Sequence, residues 1–353
     1  METISARQIN AKLTLHSGEE FQGYSPFPTP TRYGEVVFNT GMVGYPETMT
    51  DPSYTGQILV FTYPLIGNYG VPPRAQWESG KIQVAGIVVS ELAAHAQHYA
   101  AEQDLYAWCK AANIPILTGV DTRHLTLHLR HQGVVPGALS ALDVTPQDFI
   151  DINASDLAKT VTIDAPQRLG KGDKRIIVID CGIKENILRE LLKFPLEILR
   201  VPYDYDFTHE TYDGVFISNG PGDPAVYQKT IGHVKQALAT QKPVFGICLG
   251  TQLMAHAIGA TTYKLTFGHR SQNQPCLHLA SNRAYLTSQN HGFSIDEASL
   301  PADWEVTFKN LNDQTVQGIA HRHLPQFSVQ FHPEAAPGPV DTFWLFEQFY
   351  QAL

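Results

Sequence analysis

The feature that most constrains the fold is an alternation of apolar runs and helix-like segments in the second half of the sequence. RIIVIDCG, which begins at Arg175, is a continuous β-branched run, and KENILRELLK follows it with helical spacing. The alternation continues through LEILRVP, DGVFISNGPGD, AVYQKTIGHVKQALAT, PVFGICLG and TQLMAHAIGA. Strands buried on both faces and connected by helices form parallel sheets. This half is therefore predicted to be a doubly wound α/β domain with a mostly parallel sheet.

Shorter strands are predicted after that alternation, in ATTYKL, AYLTSQ, EVTFKN, TVQGIAH and FSVQFH, before a closing helix over 340–353. The first half instead has short strand-like runs and turns, with helices predicted over 102–111 and around 122–131. Residues 151–173 are polar and turn-rich. We therefore predict a smaller α+β domain over 1–150, a linker over 151–173 and the α/β domain over 174–353.

Charge and hydropathy exclude two classes of partner. The net charge of −9 and the pI near 5.9 argue against a protein that neutralises nucleic-acid phosphates. No run approaches the roughly 18 apolar residues of a membrane span, and METISARQINAK lacks the apolar core of a signal peptide. We expect a cytoplasmic protein that binds neither nucleic acid nor membrane.

The cysteines predict neither disulfides nor a metal site. The sequence has four cysteines, Cys109, Cys181, Cys248 and Cys276. They are far apart in the sequence, with no C-x-x-C pair and no histidines at zinc-ligand spacing. Each is then either a small buried hydrophobe or a reactive thiol.

Cys248 lies in a pattern that favours a reactive thiol. The sequence GICLG, from Gly246 to Gly250, matches a nucleophile elbow with cysteine as the nucleophile. Glycines leave room beside a strained central residue, and the start of the following helix favours a thiolate. The alternative is a packing turn with an inert cysteine, which the pentapeptide alone leaves open.

A base and an orienting group are predicted near the C-terminus. His332 ends the apolar run FSVQFH and Glu334 follows two residues later, at the carboxyl edge of the predicted sheet. His332 is predicted to exchange protons with the thiol while Glu334 holds the ring. The loop SNGPGDP, residues 218–224, is predicted to present backbone N–H groups to an oxyanion, although it also suits a plain tight turn.

Together, GICLGTQL, SNGPGDP and QFHPEA resemble the class I (triad) glutamine amidotransferase domain, in which a thiolate attacks the side-chain amide of glutamine and releases ammonia. The resemblance implies a γ-glutamyl thioester on Cys248 and a triad completed by His332 and Glu334. It implies an oxyanion hole formed by the N–H groups of Gly220 and Leu249. The implied glutamine-binding residues are Ser53, Gly220, Gly222, Leu249, Gln252, Asn290, Gly292 and Phe293.

The first half resembles the N-terminal domain of the carbamoyl-phosphate synthetase small (glutaminase) chain, in GEVVFNTGMVGYPETMTDPSYTGQILVFTYPLIGNYG and DTRHLTLHLRHQG. This resemblance implies a heterodimer or higher oligomer with a large chain. The large chain would make carbamoyl phosphate from bicarbonate, ammonia and two ATP, for arginine or pyrimidine biosynthesis. No cofactor is expected in this chain, and ATP and Mg²⁺ are expected on the large chain. The absence of a G-x-x-x-x-G-K-[ST] phosphate loop here agrees with that division.

Two departures from the family pattern and two alternative functions stay open. Thr251 stands where many family members have histidine, and GHRSQNQP differs from the family after its first residues. A free-standing γ-glutamyl cysteine hydrolase could use the same triad, and would turn over rapidly as an isolated chain. A catalytically silent subunit is the other alternative, against which the intact Cys248, His332 and Glu334 argue.

Overall fold

The computed structural model describes residues 9–28 and 30–353. Residues 1–8, which belong to the stretch that argued against a signal peptide, and residue 29 lie outside the described residues. The chain divides into two compact units, Met1–Ile152 and Asn153–Leu353. Within the described ranges, no helix is both long enough and apolar enough to cross a membrane.

The first unit is built around a seven-stranded mixed sheet with the order β2-β1-β9-β3-β4-β6-β8. Strands β5 and β7 form a separate two-stranded sheet. The strands are β1 (Ile9–Leu15), β2 (Glu20–Ser25), β3 (Arg32–Asn39), β4 (Gln57–Phe61), β5 (Leu65–Ile66), β6 (Gly86–Val88), β7 (Glu91–Leu92), β8 (Ile116–Leu117) and β9 (Val135–Ala141). The helices are α1 (Tyr45–Thr50), α2 (Leu105–Ala111) and α3 (Thr122–Gln132).

The seven-stranded sheet closes on itself like a barrel. Tyr24 in β2 and Thr118, directly after β8, exchange backbone hydrogen bonds of 2.8 Å in both directions. The helices predicted over 102–111 and 122–131 correspond to α2 and α3. Helix α2 begins at Leu105 because the residues before it pair with Val71, whose carbonyl accepts from the Glu102 N–H at 2.9 Å.

The second unit contains a ten-stranded sheet with the order β10-β12-β11-β13-β14-β19-β18-β17-β15-β16. Its strands are β10 (Gln167–Leu169), β11 (Lys174–Asp180), β12 (Leu196–Pro202), β13 (Gly214–Ile217), β14 (Val244–Ile247), β15 (Thr262–His278), β16 (Arg283–Ile295), β17 (Trp304–Asn310), β18 (Val316–His321) and β19 (Gln326–Val329). Its helices are α4 (Glu185–Leu191), α5 (Gln228–Ala239), α6 (Leu249–Ala257) and α7 (Trp344–Ala352).

The ten-stranded sheet is parallel only in its central part. Strands β12, β11, β13, β14 and β19 are parallel neighbours, and the remaining neighbours pair antiparallel. ATTYKL and AYLTSQ are parts of the much longer β15 and β16. The stretch GHRSQNQP, from Gly268 to Pro275, belongs to β15 and pairs with β16 through register shifts. Hairpin pairing therefore extends the predicted parallel sheet with antiparallel strands.

Helices cover both faces of this sheet, as the alternation predicted. Leu253 of α6 and Val234 of α5 pack in one apolar cluster, while Ile187 of α4 and Phe346 of α7 pack in another. From residue 153 onward, the segment predicted as a linker packs on the second unit. Ala158 is fully buried in the first of these clusters.

Candidate active site

Cys248 lies in the sharp turn between β14 and α6. Its backbone has φ 55° and ψ −105°, a region that residues other than glycine rarely adopt and one that stores strain. The Cys248 N–H donates to the carbonyl of Val329 in β19 at 2.9 Å. The turn therefore holds the thiol at the N-terminus of α6, in the geometry of a nucleophile elbow.

The glycines beside Cys248 are required by close backbone approach. A Cβ atom on Gly246 would lie 2.8 Å from the carbonyl carbon of Gly250. A Cβ on Gly250 would lie 2.4 Å from the carbonyl oxygen of Ile217, at the end of β13. Side chains at these positions would push the start of α6 away from β14 and from the end of β13.

His332 and Glu334 follow β19 and are buried. The His332 N–H donates to the Ser288 carbonyl at 2.8 Å, which ties this segment to β16. The Nδ1 atom of His332 lies 2.7 Å from Oε1 of Glu334. With Nδ1 engaged by the carboxylate, Nε2 is the ring nitrogen available for proton transfer with a thiol.

Lys184 is a site residue that sequence reasoning missed. Its Nζ donates to Oε1 of Glu334 at 2.9 Å and to the carbonyl of Ala335 at 2.5 Å. Its backbone N–H donates to Oδ1 of Asn219 at 3.0 Å, which links it to the SNGPGDP loop. Lys184 follows β11 at the carboxyl edge of the parallel strands, and that position was the available signal.

The ionic states of these residues follow from their neighbours. Burial alone would lower the pKa of His332, but its interactions with the Glu334 carboxylate and with Cys248 outweigh burial and raise that pKa to about 10. Burial would raise the pKa of Glu334, but the positive charges of Lys184 and His332 lower it to about 2. At neutral pH the buried cluster therefore holds an ammonium, a carboxylate and an imidazolium beside the thiol.

The other three cysteines are buried and unreactive. Burial raises the pKa of Cys109, of Cys181 and of Cys276, the last to about 12. A thiol with such a raised pKa remains protonated at neutral pH and is a poor nucleophile. Cys248 is the cysteine that lies beside a cationic histidine.

The two residues of the predicted oxyanion hole lie against each other. A Cβ on Gly220 would lie 2.8 Å from Cδ2 of Leu249 and 2.3 Å from the carbonyl oxygen of Cys181. Leu249 is the first residue of α6, directly after Cys248. Gly222 in the same loop has φ 84°, and the hydroxyl of Tyr227 donates to the Pro221 carbonyl at 2.7 Å, which fixes the loop.

The glutamine-binding residues predicted in the second unit also come together. The Sγ atom of Cys248 lies 3.5 Å from the carbonyl oxygen of Asn290. The side chain of Gln252 donates from Nε2 to the Phe293 carbonyl at 3.0 Å. Gly292 lies between Asn290 and Phe293 in β16. Strand β16 therefore runs past the nucleophile and the first turns of α6.

Ser53 is the predicted glutamine-binding residue that belongs to the first unit. It lies in a short 3₁₀ helix, Pro52–Tyr54, and its side chain is buried. Its backbone N–H donates to Oδ1 of Asp51 at 2.9 Å.

Thr251, the unexplained departure, has a structural role. Its hydroxyl donates to the Val329 carbonyl at 2.5 Å, and the side chain is fully buried. The same carbonyl accepts the N–H of Cys248. Thr251 thus attaches the first turn of α6 to the strand that leads to His332.

Two family models match the chain. "Glutamine amidotransferase class-I" matches residues 177–352, which places the second unit in that class. "Carbamoyl-phosphate synthase small chain, CPSase domain" matches residues 13–139.

Curated relatives match over both units. Multifunctional protein URA2 of Saccharomyces cerevisiae is 45% identical, over 100% of this chain but only 18% of that protein. The carbamoyl phosphate synthase arginine-specific small chains of Aspergillus oryzae and S. cerevisiae are 44% and 43% identical, over 97% and 98% of this chain and 80% and 89% of theirs. The chain belongs to the carbamoyl-phosphate synthase small chain family and contains a class I glutamine amidotransferase domain.

Proposed function

We propose that this chain hydrolyses L-glutamine to glutamate and ammonia through a thioester on Cys248. The observation that carries the proposal is the buried chain of ionic contacts from Lys184 through Glu334 to His332, next to the strained Cys248. This arrangement supplies a nucleophile, a proton donor and an orienting carboxylate within one site.

Acylation begins when Sγ of Cys248 attacks the side-chain carbonyl carbon of glutamine. The oxyanion that forms accepts hydrogen bonds from the N–H groups of Gly220 and Leu249. The carbon–nitrogen bond then breaks as protonated His332 donates its proton to the leaving nitrogen, which departs as ammonia. Loss of the thiolate charge on acylation removes one cause of the raised pKa of His332, and this favours the proton transfer.

Deacylation uses the same groups in the opposite sense. Neutral His332 takes a proton from water as the water oxygen attacks the thioester carbonyl carbon. The carbon–sulfur bond breaks, glutamate leaves, and the thiolate of Cys248 is restored beside protonated His332. Glu334 and Lys184 keep the ring in place throughout both steps.

The ammonia is passed to a large chain, which makes carbamoyl phosphate from it with bicarbonate and ATP. ATP and Mg²⁺ act on that chain, and this chain needs no cofactor of its own. The names of the small-chain relatives support a large-chain partner, and we propose that the two chains form a heterodimer or a higher oligomer. The product feeds arginine or pyrimidine biosynthesis.

The test is a comparison of nitrogen donors in the complex of this chain with its large chain. Cys248→Ser should abolish carbamoyl phosphate synthesis from glutamine and leave synthesis from added ammonium largely intact. Cys109→Ser, which alters a buried cysteine in α2 of the first unit, should keep both activities. Glutamine-dependent synthesis by an assembled Cys248→Ser complex would refute the proposal, as would loss of both activities.

A further inference from the structure

The side-chain amide of Gln252 is held by two acceptors. Its Nε2 lies 3.0 Å from the Phe293 carbonyl and 3.0 Å from Oε1 of Gln330. A backbone carbonyl can only accept, so the nitrogen of the Gln252 amide must face Phe293. Both hydrogens of that nitrogen are then engaged. What Gln252 can offer to a ligand is its oxygen, Oε1, an acceptor.

The orientation of Gln330 follows from that of Gln252. Two amide nitrogens facing each other at 3.0 Å would repel, so Gln330 must present its oxygen. Gln330 is fully buried, and its own Nε2 has no hydrogen-bond partner within the described ranges. A buried unpaired amide nitrogen is unfavourable, and an apolar side chain would fill the space better. The hydrogen bond to Gln252 is what the amide contributes at this position.

Gln330 is itself held in place, so it can fix the position of the Gln252 side chain. It lies between β19 and His332, and its backbone N–H donates to the Gln317 carbonyl in β18 at 2.9 Å. The backbone from which the Gln330 side chain extends is therefore the same segment that positions His332.

We propose that Gln330 is a positioning residue for substrate selection, which holds the Gln252 oxygen toward the α-ammonium group of glutamine. This rests on the proposed glutamine hydrolysis. Glutamine has two donor groups, its side-chain amide and its α-ammonium. The amide nitrogen departs as ammonia next to His332, so the α-ammonium is the donor left for Gln252. Gln330 thereby sets the preference for γ-glutamyl compounds with a free α-ammonium.

The test uses two chloroketones that differ only in that group, L-2-amino-5-chloro-4-oxopentanoate and 5-chloro-4-oxopentanoate. The rate constant for alkylation of Cys248 is measured for each reagent on the full-length chain. Gln330→Met keeps the length of the side chain and removes the acceptor. It should slow alkylation by the amino-bearing reagent by about 10-fold and leave the amino-free reagent nearly unchanged. Gln330→Leu serves as a second variant if Gln330→Met does not fold.

The matched control is Gln326→Met, because Gln326 is a second buried glutamine, at the start of β19, and its Nε2 donates to the Leu238 carbonyl at 2.8 Å. It should keep the preference between the two reagents. In a Gln252→Met background, Gln330→Met should have no further effect on that preference, since the two residues act as a unit.

Two results would overturn the inference about Gln330. One is an equal slowing of both reagents, which a merely structural role predicts, and the other is an unchanged preference in the Gln330 variants. Failure of the proposed function would look different. In that case the wild-type chain would neither hydrolyse glutamine nor be alkylated at Cys248 by either reagent, and the inference about Gln330 would fall with it.

Discussion

Lys184 explains how Glu334 stays ionised although it is fully buried. Each of the two side chains is at most 3% exposed, so water contributes little to either charge. Removing one partner of such a buried pair leaves the other charge uncompensated, whereas exposed pairs contribute little to stability. Replacing a buried lysine and replacing an exposed lysine of the second unit should therefore have different effects on stability.

Lys184→Met should lower the free energy of unfolding by about 3 kcal/mol, because Glu334 loses its cationic partner. Lys229→Met is the control, since Lys229 pairs with Asp204 on the surface at 3.7 Å and the two side chains are 78% and 38% exposed. It should change the free energy by no more than about 0.5 kcal/mol. Urea unfolding of both variants measures the difference, and similar small losses in both would contradict the assigned role of Lys184.

The raised pKa of His332 predicts how the stability of the protein depends on pH. Its pKa is about 10 in the folded protein and 6.5 as the ordinary value, so between these values the folded chain binds the extra proton. The contribution of His332 to the free energy of unfolding should therefore be fully present below its ordinary pKa. It should fall as the pH rises toward the pKa of the folded protein. The contribution of Glu334, whose pKa is about 2, is lost only at acidic pH.

The measurement for this prediction is the free energy of unfolding from about pH 7 to about pH 9.5, for the wild type and His332→Asn. The wild type should lose more stability across this range than the variant. A difference between the two proteins that does not vary with pH would show that His332 does not carry the predicted proton.

Residues with a motif around them were predictable, and residues with only distant partners were not. Cys248, His332 and Glu334 stand in short patterns whose chemistry can be read locally. Lys184 acquires its role from a carboxylate 150 positions away, and Gln330 from an amide 78 positions away. Lys184 follows an apolar run and Gln330 begins QFHPEA, but neither position shows in the sequence which distant side chain it pairs with.

Helix α6 has to lie very close to the end of β13 for the elbow to form. Gly250→Ala should therefore destabilise the chain, by about 1–3 kcal/mol, and reduce glutamine hydrolysis, because its Cβ would meet the Ile217 carbonyl at 2.4 Å. Gly232→Ala is the matched control, since Gly232 lies within α5 and nothing lies within 4 Å of the added atom.

The control variant Gly232→Ala should raise the free energy of unfolding by about 0.5–1 kcal/mol, since alanine favours a helix over glycine. Chemical unfolding and a glutamate-release assay measure both variants. If Gly250→Ala proved as stable and as active as Gly232→Ala, close packing at the elbow would not be what that glycine provides.

At the scale of elements, the parallel strands were more predictable than the antiparallel ones. The apolar runs of β11 to β14 end at clear turns, so these segments could be predicted as strands and their positions could be predicted as well. Strands β15 and β16 carry many polar residues, including His269 and Arg270, which are buried against β16 in the folded chain. Because their pairing passes through register shifts, no regular alternation indicates their length.

In the second unit as a whole, the strand order brings the site together. Strands β11, β13, β14 and β19 are consecutive parallel neighbours. Lys184, Gly220, Cys248 and His332 each follow the carboxyl end of one of them. Sites of open parallel sheets form at that edge, which is why residues far apart in sequence share one site. Each unit also matches its own family model, so the two halves were predictable separately.

The central claim is that Cys248 carries the γ-glutamyl group during turnover. The most direct measurement is peptide mass spectrometry of the full-length chain after rapid acid quenching of a reaction with glutamine. The account predicts an adduct of glutamine minus ammonia on Cys248 in the wild type, and neither adduct nor glutamate release in Cys248→Ala. Glutamate release by Cys248→Ala, or an adduct on another residue, would contradict it.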